Sequence, residues 1–128
     1  MPTKAAVKPS SKAGRPVARF RMRVTAGEAI AIGPGKVALL EAILEAGSIT
    51  AGAKRLDMSY RRAWLLVDEL NRSLRQPALD SAKGGSHGGG SALTATGLQL
   101  IELYRRIETT AAQACKDDIR KLLSLLAT

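Results

Sequence analysis

Reactive and metal-binding side chains are scarce in this sequence. It has one cysteine, Cys115, and one histidine, His87. A lone cysteine cannot close an internal disulfide, which fits a reducing compartment. One histidine with one distant cysteine supplies too few ligands for a metal, so no metal or other cofactor is expected. Neither paired carboxylates nor a Ser-His-Asp set stands out, and the chain does not read as an enzyme. Aromatic residues make up only 3%, so a single aromatic-poor core is expected. No apolar run reaches the length of a membrane span, and the N-terminus lacks the apolar stretch of a signal peptide. The expectation is therefore a cytoplasmic protein with no membrane partner.

Acidic residues are short too. Eleven Asp and Glu against 20 Lys and Arg leave a net charge of +9, which favours a polyanionic partner, nucleic acid first and an anionic membrane surface second. The excess is concentrated early: Lys4, Lys8, Lys12, Arg15, Arg19, Arg21 and Arg23 all precede the first acid, Glu28. Residues 1–16 have no apolar periodicity and read as a disordered basic tail, either an arm that touches phosphate or a solvated extension. The whole chain, 128 residues and 45% hydrophobic, is long enough for one domain with a real core.

What is present is most specific in residues 47–75, GSITAGAKRLDMSYRRAWLLVDELNRSLR. Gly47 can end one helix and Ser48 can cap the next, predicting a short helix over 49–56 with Ile49, Ala53 and Leu56 inward. Asp57 and Met58 make a corner. Ser59 caps a longer helix reaching residue 74, with Ala63, Val67, Leu70 and Leu74 on the packed face and Arg61, Leu65, Asp68 and Arg72 opposite. Trp64 lies at the border of the two faces and is read as a packing residue. Two helices at a tight corner, the second with arginines near its start, are a helix-turn-helix that offers one helix to the major groove. The expected DNA face comprises Ser48, Thr50, Lys54, Arg55, Ser59, Tyr60, Arg61 and Arg62, with Arg61 as main base reader.

The flanking segments complete the domain. Residues 19–24 alternate Arg19, Arg21 and Arg23 with Phe20, Met22 and Val24, predicting a half-buried strand paired with a second over 29–32. A helix follows over 36–46, its inner stripe Val37, Leu40, Ile43 and Leu44. The fragment GPGKV is not a phosphate loop, since Ile30 and Val37 stand where such a loop needs glycine and a hydroxyl. Beyond the central helices, Pro77 to Leu79 and Ala92 to Thr94 bracket the glycine-rich run 84–90. That segment reads as a wing whose Lys83, Ser86 and His87 are placed to meet phosphates. From residue 95 a single long helix is expected to the end, capped by Thr94 or Thr96. Its apolar residues cover more than one stripe, and the surplus calls for a second copy of the chain, through Ile101, Tyr104, Ile119, Leu122 and Leu126. Cys115 falls in this pattern as a small buried hydrophobe.

The residues LLEAI (39–43), GSIT (47–50), GAKRL (52–56), MSYRRAW (58–64), VDELN (67–71), GGSHGGG (84–90) and ALT (92–94), with Gly97 and Leu98, span most of residues 33 to 104. Over that stretch the chain resembles the N-terminal DNA-binding domain of ModE-type molybdate-responsive regulators, relatives of the LysR winged helix. The resemblance implies a dimeric transcription regulator with a recognition helix, a glycine-rich wing and a C-terminal dimerising helix. The family's oxyanion-binding domains come after that helix, where this chain ends at Thr128, so molybdate sensing by the chain itself is not expected.

The reading that results is a mainly α fold, a winged helix-turn-helix with a small β-hairpin wing and a long C-terminal dimerisation helix. Its divisions are 1–16 basic tail, 17–94 DNA-binding domain and 95–128 dimerisation helix. The expected function is sequence-specific regulation on double-stranded DNA as a homodimer, controlled by abundance, DNA competition or a separate effector-sensing protein. Two alternatives remain open from sequence: a nucleoid-type architectural protein with little sequence preference, and a protein-interaction adaptor reusing the fold.

Overall fold

A computed structural model describes residues 14–80 and 92–127. Most of the expected basic tail, and Lys83, Ser86 and His87 of the expected wing, lie outside the described residues. The elements in chain order are β1 (Val24–Ala26), β2 (Ala29–Ile32), α1 (Pro34–Ala46), α2 (Ile49–Arg55), α3 (Tyr60–Ser73), β3 (Leu79–Asp80), β4 (Ala92–Leu93), α4 (Ala95–Ala114) and α5 (Lys116–Leu123).

The first hairpin corrects the strand expected over 19–24. The strand is Val24–Ala26, paired antiparallel with Ala29–Ile32. Val24 already faces Ile32, the last residue of β2, and next come Gly33 and Pro34, whose ring leaves no N–H to donate. Residues before Val24 therefore run past the end of their partner. Gly27, at φ +64, supplies the left-handed turn residue between the strands.

Helix α1 starts with Pro34 in its first turn and ends at Gly47, whose φ of +93 lets its N–H reach the Ile43 carbonyl at 2.8 Å. The helix is buried on two faces, which the single expected stripe did not capture. Leu39 and Ile43 join Ile49, Ala53, Ala63, Val67 and Leu79 in one apolar cluster, while Val37 and Leu40 join Leu70, Ala78, Leu100 and Tyr104 in a second. Leu39 thus occupies the core place expected of Leu44, which is exposed in the last turn. Where α2 crosses α1 the backbones nearly touch. A Cβ on Gly52 would lie 2.8 Å from Ile43 Cγ1 and 2.9 Å from its backbone N, so only glycine permits this approach.

Helices α2 and α3 begin as their caps predict. The Ser48 hydroxyl accepts from the Ala51 N–H and the Ser59 hydroxyl from the Arg62 N–H, both at 3.1 Å. The corner between them includes Asp57 at φ +57. Ala63, Val67 and Leu70 form the inner face of α3. Trp64 does not pack with them: it is exposed and belongs to neither cluster, because the small Ala63 and the side chain of Val67 already fill the space against α1 and α2.

Polar clamps join α3, the short β3–β4 hairpin and α4. Asn71 Oδ1 accepts from the N–H groups of Ala78 and Leu79 at 2.8 and 3.3 Å, and its Nδ2 donates to the Leu79 carbonyl at 3.1 Å. Leu79 pairs with Leu93 and Asp80 with Ala92. The Thr94 hydroxyl donates to the Pro77 carbonyl at 2.6 Å and accepts from the Gly97 N–H at 3.1 Å, capping α4. A Cβ on Gly97 would lie 2.2 Å from the Ala78 oxygen, so α4 too is seated where only glycine fits.

The C-terminal region is two helices, not the one expected. At Cys115 the backbone reaches φ −102, ψ 13, and α5 starts afresh with Asp117 and Asp118 in its first turn, charges that favour a new helix N-terminus. Cys115 is exposed rather than buried. Tyr104, expected at a dimer surface, is instead a core residue whose hydroxyl donates to the Met22 carbonyl at 2.8 Å; it faces the residues before β1 and offers nothing to a second chain. Its neighbour Arg105 pairs with Glu41 of α1 and with Glu108, and the Glu41 hydrogen bonds hold its guanidinium above its ordinary pKa.

Two stability outcomes follow from these contacts. Replacing Asn71 by Ala strands the buried Ala78 N–H, so urea unfolding should register a loss of about 1–3 kcal/mol. Burial, the largest cause, raises the Tyr104 phenol above its ordinary 10.0, so the folded state prefers the neutral form. That contribution is complete below pH 10 and fades as pH rises through the raised value. At neutral pH, Tyr104→Phe should therefore be about 0.5–1.5 kcal/mol less stable than wild type, and the gap should close as unfolding is repeated at rising pH above 10. A gap independent of alkaline pH would mean that the phenol is not protected.

Candidate nucleic-acid interface

The residues expected on the DNA face lie on α2, α3 and the corner joining them. Arg61, Arg62, Lys54 and Thr50 are exposed. Among the described residues Lys54, Arg61 and Arg62 take part in no ion pair, whereas Arg55 is matched with Glu45 at 2.9 Å and Arg72 with Asp68 at 3.0 Å. Two of these three unpaired cations, Arg61 and Arg62, thus lie in the first turn of α3, whereas Arg72 in its last turn is neutralised. Ser48 and Ser59 spend an acceptor lone pair on their caps; each hydroxyl still has its hydrogen to donate. Tyr60 opens α3 and is exposed beside Arg61.

The fold adds cations that the sequence pattern had placed in a strand. The β1–β2 hairpin lies against the flank of α3, so Arg21 and Arg23 line one cleft with Arg62, Leu66 and Glu69. Alternating arginines were the visible signal; their meeting with Arg62 depends on a fold-back that no local spacing encodes. Lys36, buried to 8% exposure, holds that fold-back in place. Its Nζ donates to the Ile30 carbonyl at 2.6 Å and lies 3.4 Å from Glu69 Oε1, which ties β2, α1 and α3 at one ammonium.

The residues expected to bind a second chain separate. Ile101 is half-buried against the second apolar cluster and Tyr104 is inside it. Ile119 is half-buried, while Leu122 and Leu126 are exposed. The structure also exposes Leu103 and Ile107 on α4, and Ile107 borders a shallow apolar depression with Thr110, Ala111 and Ala114. Leu103, Ile107, Thr110 and Ala114 follow a four-three-four spacing that makes a second apolar stripe beside the buried one. Among the described residues no three His, Cys, Asp or Glu side chains are grouped to hold a metal ion, and no helix is long and apolar enough to cross a membrane.

No protein-family model matches the chain. It is 40% identical over 97 residues to the transcriptional regulator ModE of Yersinia pestis, covering 73% of this chain and 37% of that protein. It is 38% identical over 98 residues to the DNA-binding transcriptional dual regulator ModE of Escherichia coli, with the same two coverages. To the molybdenum-pterin-binding protein MopB of Rhodobacter capsulatus it is 43% identical over 82 residues, 64% of this chain and 30% of that protein. The chain thus spans about a third of the length of the curated relatives it matches. Among solved structures, the DNA-binding domain of CbnR in complex with DNA superimposes with a TM-score of 0.55 at 26% identity, covering 69% of this chain and 95% of that one. Across the shared segment the chain is a homologue of the ModE transcriptional regulators, matching their N-terminal part, and it has the winged-helix fold of a DNA-binding domain.

Proposed function

We propose that this chain is a sequence-specific transcriptional regulator that binds double-stranded DNA as a homodimer, with α3 in the major groove. The observation that carries the reading is the unneutralised charge in the first turn of α3, where Arg61 and Arg62 stand exposed, on a domain similar to one solved on DNA. Residues 17–94 serve as the DNA-binding unit and 95–128 as the dimerising one, in the cytoplasm, where the DNA is. Arg61 reads a base edge. Lys54, Arg62 and the hydroxyls of Ser48, Thr50 and Ser59 contact phosphates, with Lys83, Ser86 and His87 of the wing completing the grip.

Binding measured at one salt concentration on a selected and on a random duplex tests the base-reading role. Arg61→Ala should cost about 1–3 kcal/mol on the selected duplex and little on the random one. Equal losses on both would make Arg61 a phosphate contact, and equal wild-type affinities would favour an architectural protein.

The dimer is supported by the surplus apolar stripe of Leu103 and Ile107 on α4, with half-buried Ile119 and exposed Leu122 on α5. Ile107→Glu should shift the protein from dimer to monomer in light scattering and weaken binding to a full two-fold site more than to a half-site. A wild-type protein that scatters as a monomer at concentrations where it saturates DNA contradicts the assembly.

A further inference from the structure

Three large, mostly apolar side chains stand on the outward surface of α3 within its first two turns. Tyr60, Trp64 and Leu65 are 53%, 42% and 45% exposed, and with Arg61 they line one open, largely apolar depression. None of the three belongs to either core cluster, and Ala63, Val67 and Leu70 already fill the inner face of the helix. A helix face meant only for water carries polar residues, so a tryptophan and a leucine left there point to a contact surface. The cations around it say what kind. Arg61 stands within the patch and Arg62 follows it on the helix, neither of them in an ion pair among the described residues; such charges attract a polyanion. The patch also starts at the capped N-terminus of α3, the end of a recognition helix that meets base edges.

In the major groove nearly everything a base presents is a hydrogen-bond donor or acceptor. The exception is the C5-methyl group of thymine. We propose that Trp64, flanked by Leu65 and Tyr60, recognises thymine by packing on that methyl group, a reading that deepens and rests on the DNA-binding function above. Arg61 then supplies hydrogen bonds to a neighbouring base edge, while the apolar patch discriminates by shape and desolvation. Cytosine presents a polar amino group at the adjoining position and no methyl, so it leaves the indole without a partner.

Deoxyuridine isolates the methyl, because it keeps thymine's hydrogen-bonding edge and lacks only that group. Duplexes are first selected from a random pool with the full chain, and each thymine of the selected site is then replaced by deoxyuridine in turn. Affinity is measured at fixed salt for wild type, Trp64→Ala and Leu65→Ala, with circular dichroism and melting to confirm that each variant folds. Wild type should lose about fourfold for each contacted methyl, at one or two thymines only. In Trp64→Ala that loss should vanish while melting hardly changes. A flat deoxyuridine profile in wild type overturns the inference and leaves the DNA-binding reading intact; it is also the result expected if a protein partner covers the patch. Should Trp64→Ala fail to fold, the wild-type profile and Leu65→Ala carry the test, and a penalty unaltered in Leu65→Ala overturns the assignment. A pool in which no duplex is enriched removes the DNA-binding reading and this inference with it.

Discussion

The side-chain amide of Asn71 holds in register the two elements that a winged helix must present together. It stands near the end of α3 and makes three hydrogen bonds to the backbone of Ala78 and Leu79, both buried residues. Buried backbone groups need such partners, so β3 has one place relative to α3. The return strand is held just as firmly. Thr94 binds the Pro77 carbonyl and caps α4, and Gly97 lets α4 settle on the Ala78 carbonyl. Helix α3, the β3–β4 hairpin and α4 are thus joined through the backbone of residues 77–79.

Helix α1 is the second fixed element: like α3 it contributes to both apolar clusters, and Gly52 brings α2 against its backbone. The inner faces of α2 and α3 are thereby committed, and the outward residues of α3 have nowhere to go but solvent or a partner. Lys36 adds a polar constraint in the same place. A buried ammonium is costly without partners; here it has a carbonyl from β2 and a carboxylate from α3. Removing either would leave charge stranded, so the hairpin stays against α3 with Arg21 and Arg23 beside Arg62.

Much of this was legible from local chemistry. Ser48, Ser59 and Thr94 are caps in the structure as their positions suggest, Gly47 ends α1, and the inner face of α3 is the one that helical spacing selects. Long-range packing was not legible. Periodicity gives a helix one inner stripe, so it missed that α1 is buried on two sides and that Leu39 outranks Leu44. It found the arginine alternation of residues 19–23 but not that β2 ends opposite Val24. It counted Tyr104 and Cys115 as one continuous apolar surface, although the first is claimed by the Met22 carbonyl and the second sits at a break where two aspartates start a new helix. Trp64 was misjudged because an indole at the border of a helix is usually packed, and only the filled space around Ala63 and Val67 shows that it is not.

The exposed face of α3 combines two kinds of interaction with different ranges, and the rigid frame is what makes the combination useful. The charge of Arg62, with that of Lys54 on α2, acts over a Debye length and is indifferent to sequence. The apolar surface of Tyr60, Trp64 and Leu65 acts only at contact, so it discriminates only if the helix arrives at one depth and one angle. In the proposed dimer that angle is passed along the same clamps: Asn71 to β3, Thr94 and Gly97 to α4, and Arg105 of α4 back to Glu41 of α1. A second copy held on the Leu103 and Ile107 stripe then carries its own α3 at a fixed separation. Half-sites on one DNA face recur every 34–36 Å or so, and a separation set by buried hydrogen bonds and glycine contacts can match that repeat where a flexible linkage could not.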